Sequence, residues 1–318
     1  VAALEAISLK VSCEPSALIQ VVQRTIPMQY RSLGQSDLSV SSIGLGCVTF
    51  GREVDPQSSL LIMDHAFEQG ITLFDTAEAY AQGASERVVG EWMRSRQSRD
   101  KVVFATKISG LLTRQRIVAS AEASLKRLQT DRIDLLQTHV WDESTPLEET
   151  LGALTTLVQQ GKVRYVGCSN YSAPQLKAAL ALSSTGELSR LVSVQPPYNL
   201  VQRDIEADLL PLCAAENIGV ISYSPLAAGF LTGKYRRGAA IPSGTRFDVI
   251  PGHQNIYFTE HGYQVLEKLD AESRATGQSH VQLALSWVLN QPGITSVLIG
   301  ARNKGQIDQA IGSGTKKL

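Results

Sequence analysis

Short apolar runs alternate along the chain with longer amphipathic stretches. Runs rich in Val, Ile and Leu begin near Ile43 (IGLG), Ile71 (ITLFD), Val102 (VVFATK), Ile133 (IDLLQTH), Val163 (VRYVGC), Leu191 (LVSV) and Ile218 (IGVISY). An eighth, ITSVLIG, begins at Ile294 after a longer gap. The first seven start 27 to 31 residues apart, which is room for a strand, a helix and two loops. Their nearly continuous apolar character predicts strands buried on both faces, as in a parallel sheet. Between them a helical period runs over 58–69, 85–96, 114–128, 147–159, 173–182 and 204–216. Eight such units predict an α/β fold, a (β/α)8 TIM barrel. An open doubly wound sheet is the alternative, but it usually has fewer strands and needs no such even repeat.

Ahead of the first strand, YRSLG and LSVSS flank a QSD turn between Met28 and Ser41, which reads as an N-terminal β-hairpin. Residues 1–27 fall outside the pattern and read as a disordered extension. They lack the basic start and clean apolar core of a secretory signal. Residues 28–311 read as a single barrel domain, and 312–318, ending in GTKKL, as a tail outside it.

Composition narrows the function. Of 318 residues, 43% are hydrophobic and 19% charged, an ordinary globular balance. Net charge is zero, where a nucleic-acid or membrane-surface partner would call for a basic excess. The cysteines Cys13, Cys47, Cys168 and Cys213 form no CxxC pair, which suits a reduced, cytoplasmic setting. The histidines show no metal-ligand spacing, so no metal is expected. The chain has no GxGxxG fingerprint, no phosphate loop ending in GK[ST] and no GxSxG elbow.

The candidate chemistry lies at the ends of the predicted strands. Asp75 closes ITLFD, with Tyr80 five residues on; Lys107 closes VVFATK; His139 closes IDLLQTH. In a barrel these positions share the carboxyl-end rim. A Tyr hydroxyl is a weak acid, with a reference pKa of about 10, and a neighbouring ammonium lowers it. Asp75 would hold Lys107 charged, and His139 would hydrogen-bond the oxygen of a reacting carbonyl. Taken singly, each could be a satisfied rim residue; together they suit proton transfer to a carbonyl.

Later strand ends are polar too. Ser169, Asn170, Gln195 and Tyr223 could face one cavity and bind a carboxamide such as that of nicotinamide, although Ser and Asn after a strand are also common turn residues. The segment SPLAAGFLTGKYRRG could bring backbone amides and Lys234 to a diphosphate, or be a surface loop. Arg302 and Lys304 open a predicted helix and would suit a 2′-phosphate. Phe50, Trp141 and the 247–258 stretch with Tyr257 are candidate walls for a substrate.

With these residues in view, the chain resembles the aldo-keto reductase superfamily over 28–311. GITLFDTAEAY matches the Asp-and-Tyr signature, and Lys107 and His139 complete a tetrad. VGCSNY, QPPYN and SYSPLAAGFLTGKY match the cofactor segments in order. The long seventh loop most resembles the bacterial branch that includes the potassium-channel β subunits. The resemblance implies an NADP(H)-dependent reductase of aldehydes or ketones without a Rossmann fold. Tyr80 would be the general acid, Lys107 would lower its pKa, Asp75 would support Lys107, and His139 would orient the carbonyl. Ser169, Asn170 and Gln195 would hold the carboxamide, and Tyr223 would stack on the nicotinamide. Ser224, Leu226, Gly229, Lys234 and Arg246 would line the diphosphate channel, and Gly300, Arg302 and Gln306 would meet the adenosine. One departure stands out: the family's Glu-Asn adenine pair is replaced by Gln309 and Ala310, which implies looser adenine recognition. The alternative, implied by the resemblance to the channel β subunits, is a redox-sensing regulatory or binding protein that holds NADP(H) and turns over slowly; those subunits differ at the position of His139. A hydrolase or an aldolase with Lys107 as a Schiff base would have no use for the later segments.

Overall fold

The computed structural model describes residues 28–312. The expected extension 1–27 and the tail beyond Gly312 lie outside the described residues. Eight parallel strands close into a barrel: β3 (Ile43–Gly46), β4 (Leu73–Asp75), β5 (Val103–Ile108), β6 (Ile133–Thr138), β7 (Val163–Ser169), β8 (Leu191–Gln195), β9 (Gly219–Ser222) and β10 (Ile294–Gly300), with β10 pairing back onto β3. This is the predicted TIM barrel, and the open-sheet alternative falls. Two further strands, β1 (Tyr30–Ser32) and β2 (Ser39–Ser41), form the predicted antiparallel hairpin.

The hairpin closes the amino end of the barrel. Its Leu33, Leu38 and Val40 are buried with Leu73, Val103, Ala105, Leu135, Val192, Ile221 and Leu298 of the strands. Gly34 has φ +56°, and a Cβ there would stand 2.5 Å from Val192 O, so the turn can press against the barrel only as glycine.

Helices ring the barrel: α1 (Pro56–Glu68), α2 (Ala84–Arg96), α3 (Arg114–Leu128), α4 (Leu147–Gln159), α5 (Ala173–Leu182), α6 (Leu209–Glu216), α7 (Arg246–Val249), α8 (Gln254–Tyr257), α9 (Glu260–Thr276), α10 (His280–Leu289) and α11 (Lys304–Ile311). Their starts are written locally. Asp55 caps α1 just ahead of Pro56, and Ser172 and Ser279 form capping boxes with Gln175 and Gln282. The helical stretch expected over 204–216 breaks into a single turn at Asp204–Glu206 and then α6, where Asp208 adopts a non-helical backbone. No described helix is long and apolar enough to cross a membrane.

Candidate active site

Parallel pairing sets Asp75 of β4 beside Ala105 of β5, and Lys107 beside Gln137 of β6. Side chains alternate faces along a strand, so Ala105 and Lys107 point the same way, and Asp75 and Lys107 meet inside the barrel. The Lys107 ammonium is 2.5 Å from Asp75 Oδ1, 2.9 Å from Thr76 O and 3.5 Å from Tyr80 Oη. Three acceptors match its three donors. Lys107 is 1% exposed. Burial pulls its pKa down, but the Asp75 and Tyr80 charges and hydrogen bonds outweigh that, and the net direction is up. It is held as a cation.

Tyr80 reaches Lys107 because its loop doubles back. Ala81 and Gln82, just beyond it, are left-handed at φ 49° and 53°, a conformation costing L-residues roughly 1–2 kcal/mol each. The chain then enters α2. Burial raises the Tyr80 pKa, Lys107 opposes this, and the outcome is a phenol above its ordinary value. The sequence expectation of a net lowering is thereby corrected: Lys107 acts in the stated direction, but desolvation is larger.

His139 lies edge-on to the Tyr80 ring, 5.8 Å between centroids. Its Nδ1 is 2.9 Å from Ser109 Oγ, a partner the sequence reading missed; the signal was a hydroxyl two residues past Lys107 on the same strand end. Burial, helped by the Lys107 charge, pulls the His139 pKa down to about 4. The imidazole is neutral at pH 7. A Ser109 hydroxyl donating to Nδ1 leaves the ring proton on Nε2.

The polar groups on β7, β8 and the end of β9 bond to one another and to the charged set. Gln195 Nε2 donates to Asp75 Oδ2 at 2.8 Å, so this amide props the carboxylate as well as lying where a carboxamide was expected. Ser169 Oγ donates to Gln195 O. Asn170, left-handed at φ 58°, donates from Nδ2 to His139 O and Ser169 Oγ and accepts from Tyr223 Oη at 2.8 Å.

The β9 and β10 ends carry cations. After Ser222 the chain is left-handed at Ser224, Ala227, Ala228 and Gly229, and Lys234 Nζ would lie 3.5 Å from a Cβ at Gly229. Desolvation and Arg302 lower the Lys234 pKa. Desolvation leads the lowering at Arg246, and Arg52 and Arg302 add to it. Glu53, 3.6 Å from Arg246, offsets part of this; the sequence reading missed both Arg52 and Glu53. Arg302 Nη1 donates to Gly244 O, and its backbone N–H donates to Gln306 Oε1 at the capped start of α11. Gly300 ends β10 exposed. Ala310 is 3% exposed within the core.

The three candidate substrate-wall residues differ in burial. Phe50 is 0% exposed and belongs to the core around the barrel. Tyr257 is buried in an aromatic cluster with Phe230 and Phe247. Both are packed among core side chains rather than exposed on the rim. Trp141 stays half-buried at the rim, edge-on to Tyr171 at 5.1 Å.

Against known proteins, the Aldo/keto reductase family pattern matches residues 42–318. The chain belongs to this family. Similar aldo/keto reductase relatives include the Bacillus subtilis aldo-keto reductase YhdN, 36% identical over 88% of this chain and 87% of that protein. A probable voltage-gated potassium channel subunit beta of Arabidopsis thaliana is 36% identical over 89% of this chain and 90% of its own length. Protein tas of Escherichia coli is 35% identical over 90% and 93%. Membership in the aldo/keto reductase family makes NAD(P)H-dependent oxidoreduction the class of activity. The cluster of Lys234, Arg246 and Arg302 suits such a cofactor: mutually repelling cations beside a strongly turned backbone are what a polyanion relieves.

Proposed function

We propose that this aldo/keto reductase is an NADP(H)-dependent reductase of aldehydes or ketones with Tyr80 as its general acid. The observation that carries the reading is the buried ammonium of Lys107, 3.5 Å from Tyr80 Oη and bonded to Asp75. Burial keeps the Tyr80 hydroxyl protonated at neutral pH, the form a reductase needs. As negative charge gathers on the carbonyl oxygen, Tyr80 Oη gives up its proton to it. The adjacent ammonium stabilises the phenolate left behind, in a site where charge is little screened. The neutral His139 donates its Nε2 proton to the same oxygen and orients it. In alcohol oxidation Tyr80 would act as the base, and its raised pKa makes that direction favour alkaline pH.

The nicotinamide, when bound, supplies the hydride. Ser169, Asn170, Gln195 and Tyr223 would hold its end of the cofactor. Ser224, Leu226, Gly229, Lys234 and Arg246 would take the diphosphate. Arg302 and Lys304 would take the 2′-phosphate, which favours NADP(H), and Gly300 and Gln306 would meet the adenosine. We place the reaction in the cytoplasm on a small-molecule carbonyl, with no nucleic-acid or membrane partner.

The deciding experiment is NADPH consumption on a carbonyl panel with wild type and Tyr80→Phe. Turnover should fall at least about 100-fold in the variant, with cofactor affinity little changed. The likeness to a channel β subunit favours a second reading, a redox sensor. Tight NADPH binding without turnover in the wild type would favour it.

A further inference from the structure

The turn that follows Tyr80 is strained. Ala81, Gln82 and Gly83 come in succession at φ 49°, 53° and 81°. Two of the three carry side chains, and such residues stay left-handed only where the surroundings over-determine them. The bonds that do so here come from Ser85 and Glu86, in the first turn of α2 directly beyond. Both are 0% exposed, as are Thr76 and Thr106, which they meet.

Ser85 Oγ donates to Cys47 O at 2.7 Å and lies 2.8 Å from Thr76 Oγ1, which ties the helix to the chain just past β3 and β4. Glu86 divides its carboxylate. One oxygen accepts from Thr106 Oγ1 at 2.6 Å, and the other from Arg127 Nε at 2.6 Å. Thr106 directly precedes Lys107 on β5; because faces alternate along a strand, it points outward where Lys107 points into the barrel. Arg127 of α3 packs against the turn itself: a Cβ at Gly83 would stand 2.6 Å from Arg127 Cδ.

Stability alone does not call for a charged pair in this place, since an apolar filling of similar volume often serves a fold as well or better. What the pair adds is direction. One carboxylate is bonded both to the residue next to Lys107 and to the arginine against which the Tyr80 turn packs. At the end of that bridge Tyr80 Oη stands 3.5 Å from Lys107 Nζ, the contact on which the proposed proton transfer depends.

We propose that Glu86, through Thr106 and Arg127, is a positioning residue for the reaction, which sets the separation of Tyr80 from Lys107. The inference rests on the reductase reading and deepens it. Burial raises the Tyr80 pKa, and Lys107 holds that rise in check against Asp75 and Cys47. A slackened bridge lets the phenol drift from the ammonium, so its titration moves to higher pH and proton transfer slows.

The test follows Tyr80 as 3-fluorotyrosine by fluorine NMR in the full chain, its resonance identified by its loss in Tyr80→Phe, beside reduction of the carbonyl panel with NADPH. Thr106→Val is nearly isosteric and removes one end of the bridge. Its Tyr80 titration should rise by on the order of one pH unit, and kcat should fall at least about tenfold, with KM for NADPH unchanged. Glu86→Leu should act in the same direction. Thr106→Ser keeps the hydroxyl and should stay close to wild type in both readings. Asp134→Asn is the control. Asp134 is also buried and paired with Arg99, but at the amino end of β6, so its loss should lower the unfolding midpoint and move neither reading. An unmoved titration in Thr106→Val, or an equal shift in Asp134→Asn, overturns the inference and spares the reductase reading. No turnover of any carbonyl by the wild type removes the reductase reading, and the titration then still decides whether Glu86 places Tyr80.

Discussion

At the β4–β6 side of the barrel mouth, Asp75, Lys107 and Tyr80 satisfy one another; at the β9–β10 side, Lys234, Arg246 and Arg302 repel one another. The first region is complete within the chain. Lys107 has three acceptors, Asp75 has Lys107 on one oxygen and Gln195 on the other, and both residues are almost without solvent contact. The second is partly exposed and only partly balanced, with Glu53 at 3.6 Å from Arg246. Groups that do chemistry gain from being fixed beforehand, since no reorganisation is then needed at the moment of reaction. Groups that bind a polyanion gain from being left unbalanced, since the ligand then relieves repulsion as it arrives.

The largest effect should come from unbalancing the first region. Lys107→Met leaves the Asp75 carboxylate buried with Gln195 as its remaining partner, and breaking a buried pair from one side costs about 3–5 kcal/mol. Denaturant unfolding would measure it. Adding Asp75→Asn removes the stranded charge, so the double variant should recover most of the stability and none of the turnover. A single variant as stable as wild type would mean that the pair is already screened by water, and the contrast between the two regions would collapse.

The second region should respond with the opposite sign. Arg302→Ala removes a charge that its neighbours disfavour, so unfolding stability should hold or rise slightly. NADPH affinity should fall by about 1.5–3 kcal/mol, the worth of a hydrogen bond to a charged group, and NADH affinity should change far less. Titration of both cofactors against wild type and variant would decide it. Equal losses for both would take the 2′-phosphate away from Arg302.

The first region was also the more legible in sequence. Each of its residues closes or follows an apolar run, and parallel strands put such positions on one rim, so period and spacing sufficed to find Asp75, Tyr80, Lys107 and His139. What spacing does not carry is the balance of energies. That burial outweighs Lys107 at Tyr80, and that Gln195 reaches Asp75 from 120 residues away, depends on packing depth. Phe50 and Tyr257 show the same limit: an aromatic near the rim looks the same in sequence whether it stands exposed or packs in the core beneath, as these two do. Ser109 was within reach of the pattern, one side-chain period past Lys107, but a lone hydroxyl after a strand is too common to single out.

The smallest effect concerns His139, edge-on to Tyr80 and bonded to Ser109. Its pKa in the fold is pulled down to about 4 from an ordinary 6.5, by burial first and Lys107 second. Between those values the unfolded chain takes up a proton that the folded protein does not, so stability should decline as pH falls from above 6.5 towards 4. Above 6.5 the residue is neutral in both states and contributes no slope. His139→Gln cannot titrate, so the difference in unfolding free energy between pH 7.5 and pH 5 should shrink in that variant. The same neutrality should appear in catalysis, where wild-type kcat/KM should show no inflection near 6.5 that His139→Gln abolishes. Such an inflection would mean that His139 titrates normally, and that the carbonyl oxygen meets a cationic imidazole rather than a neutral donor beside Lys107.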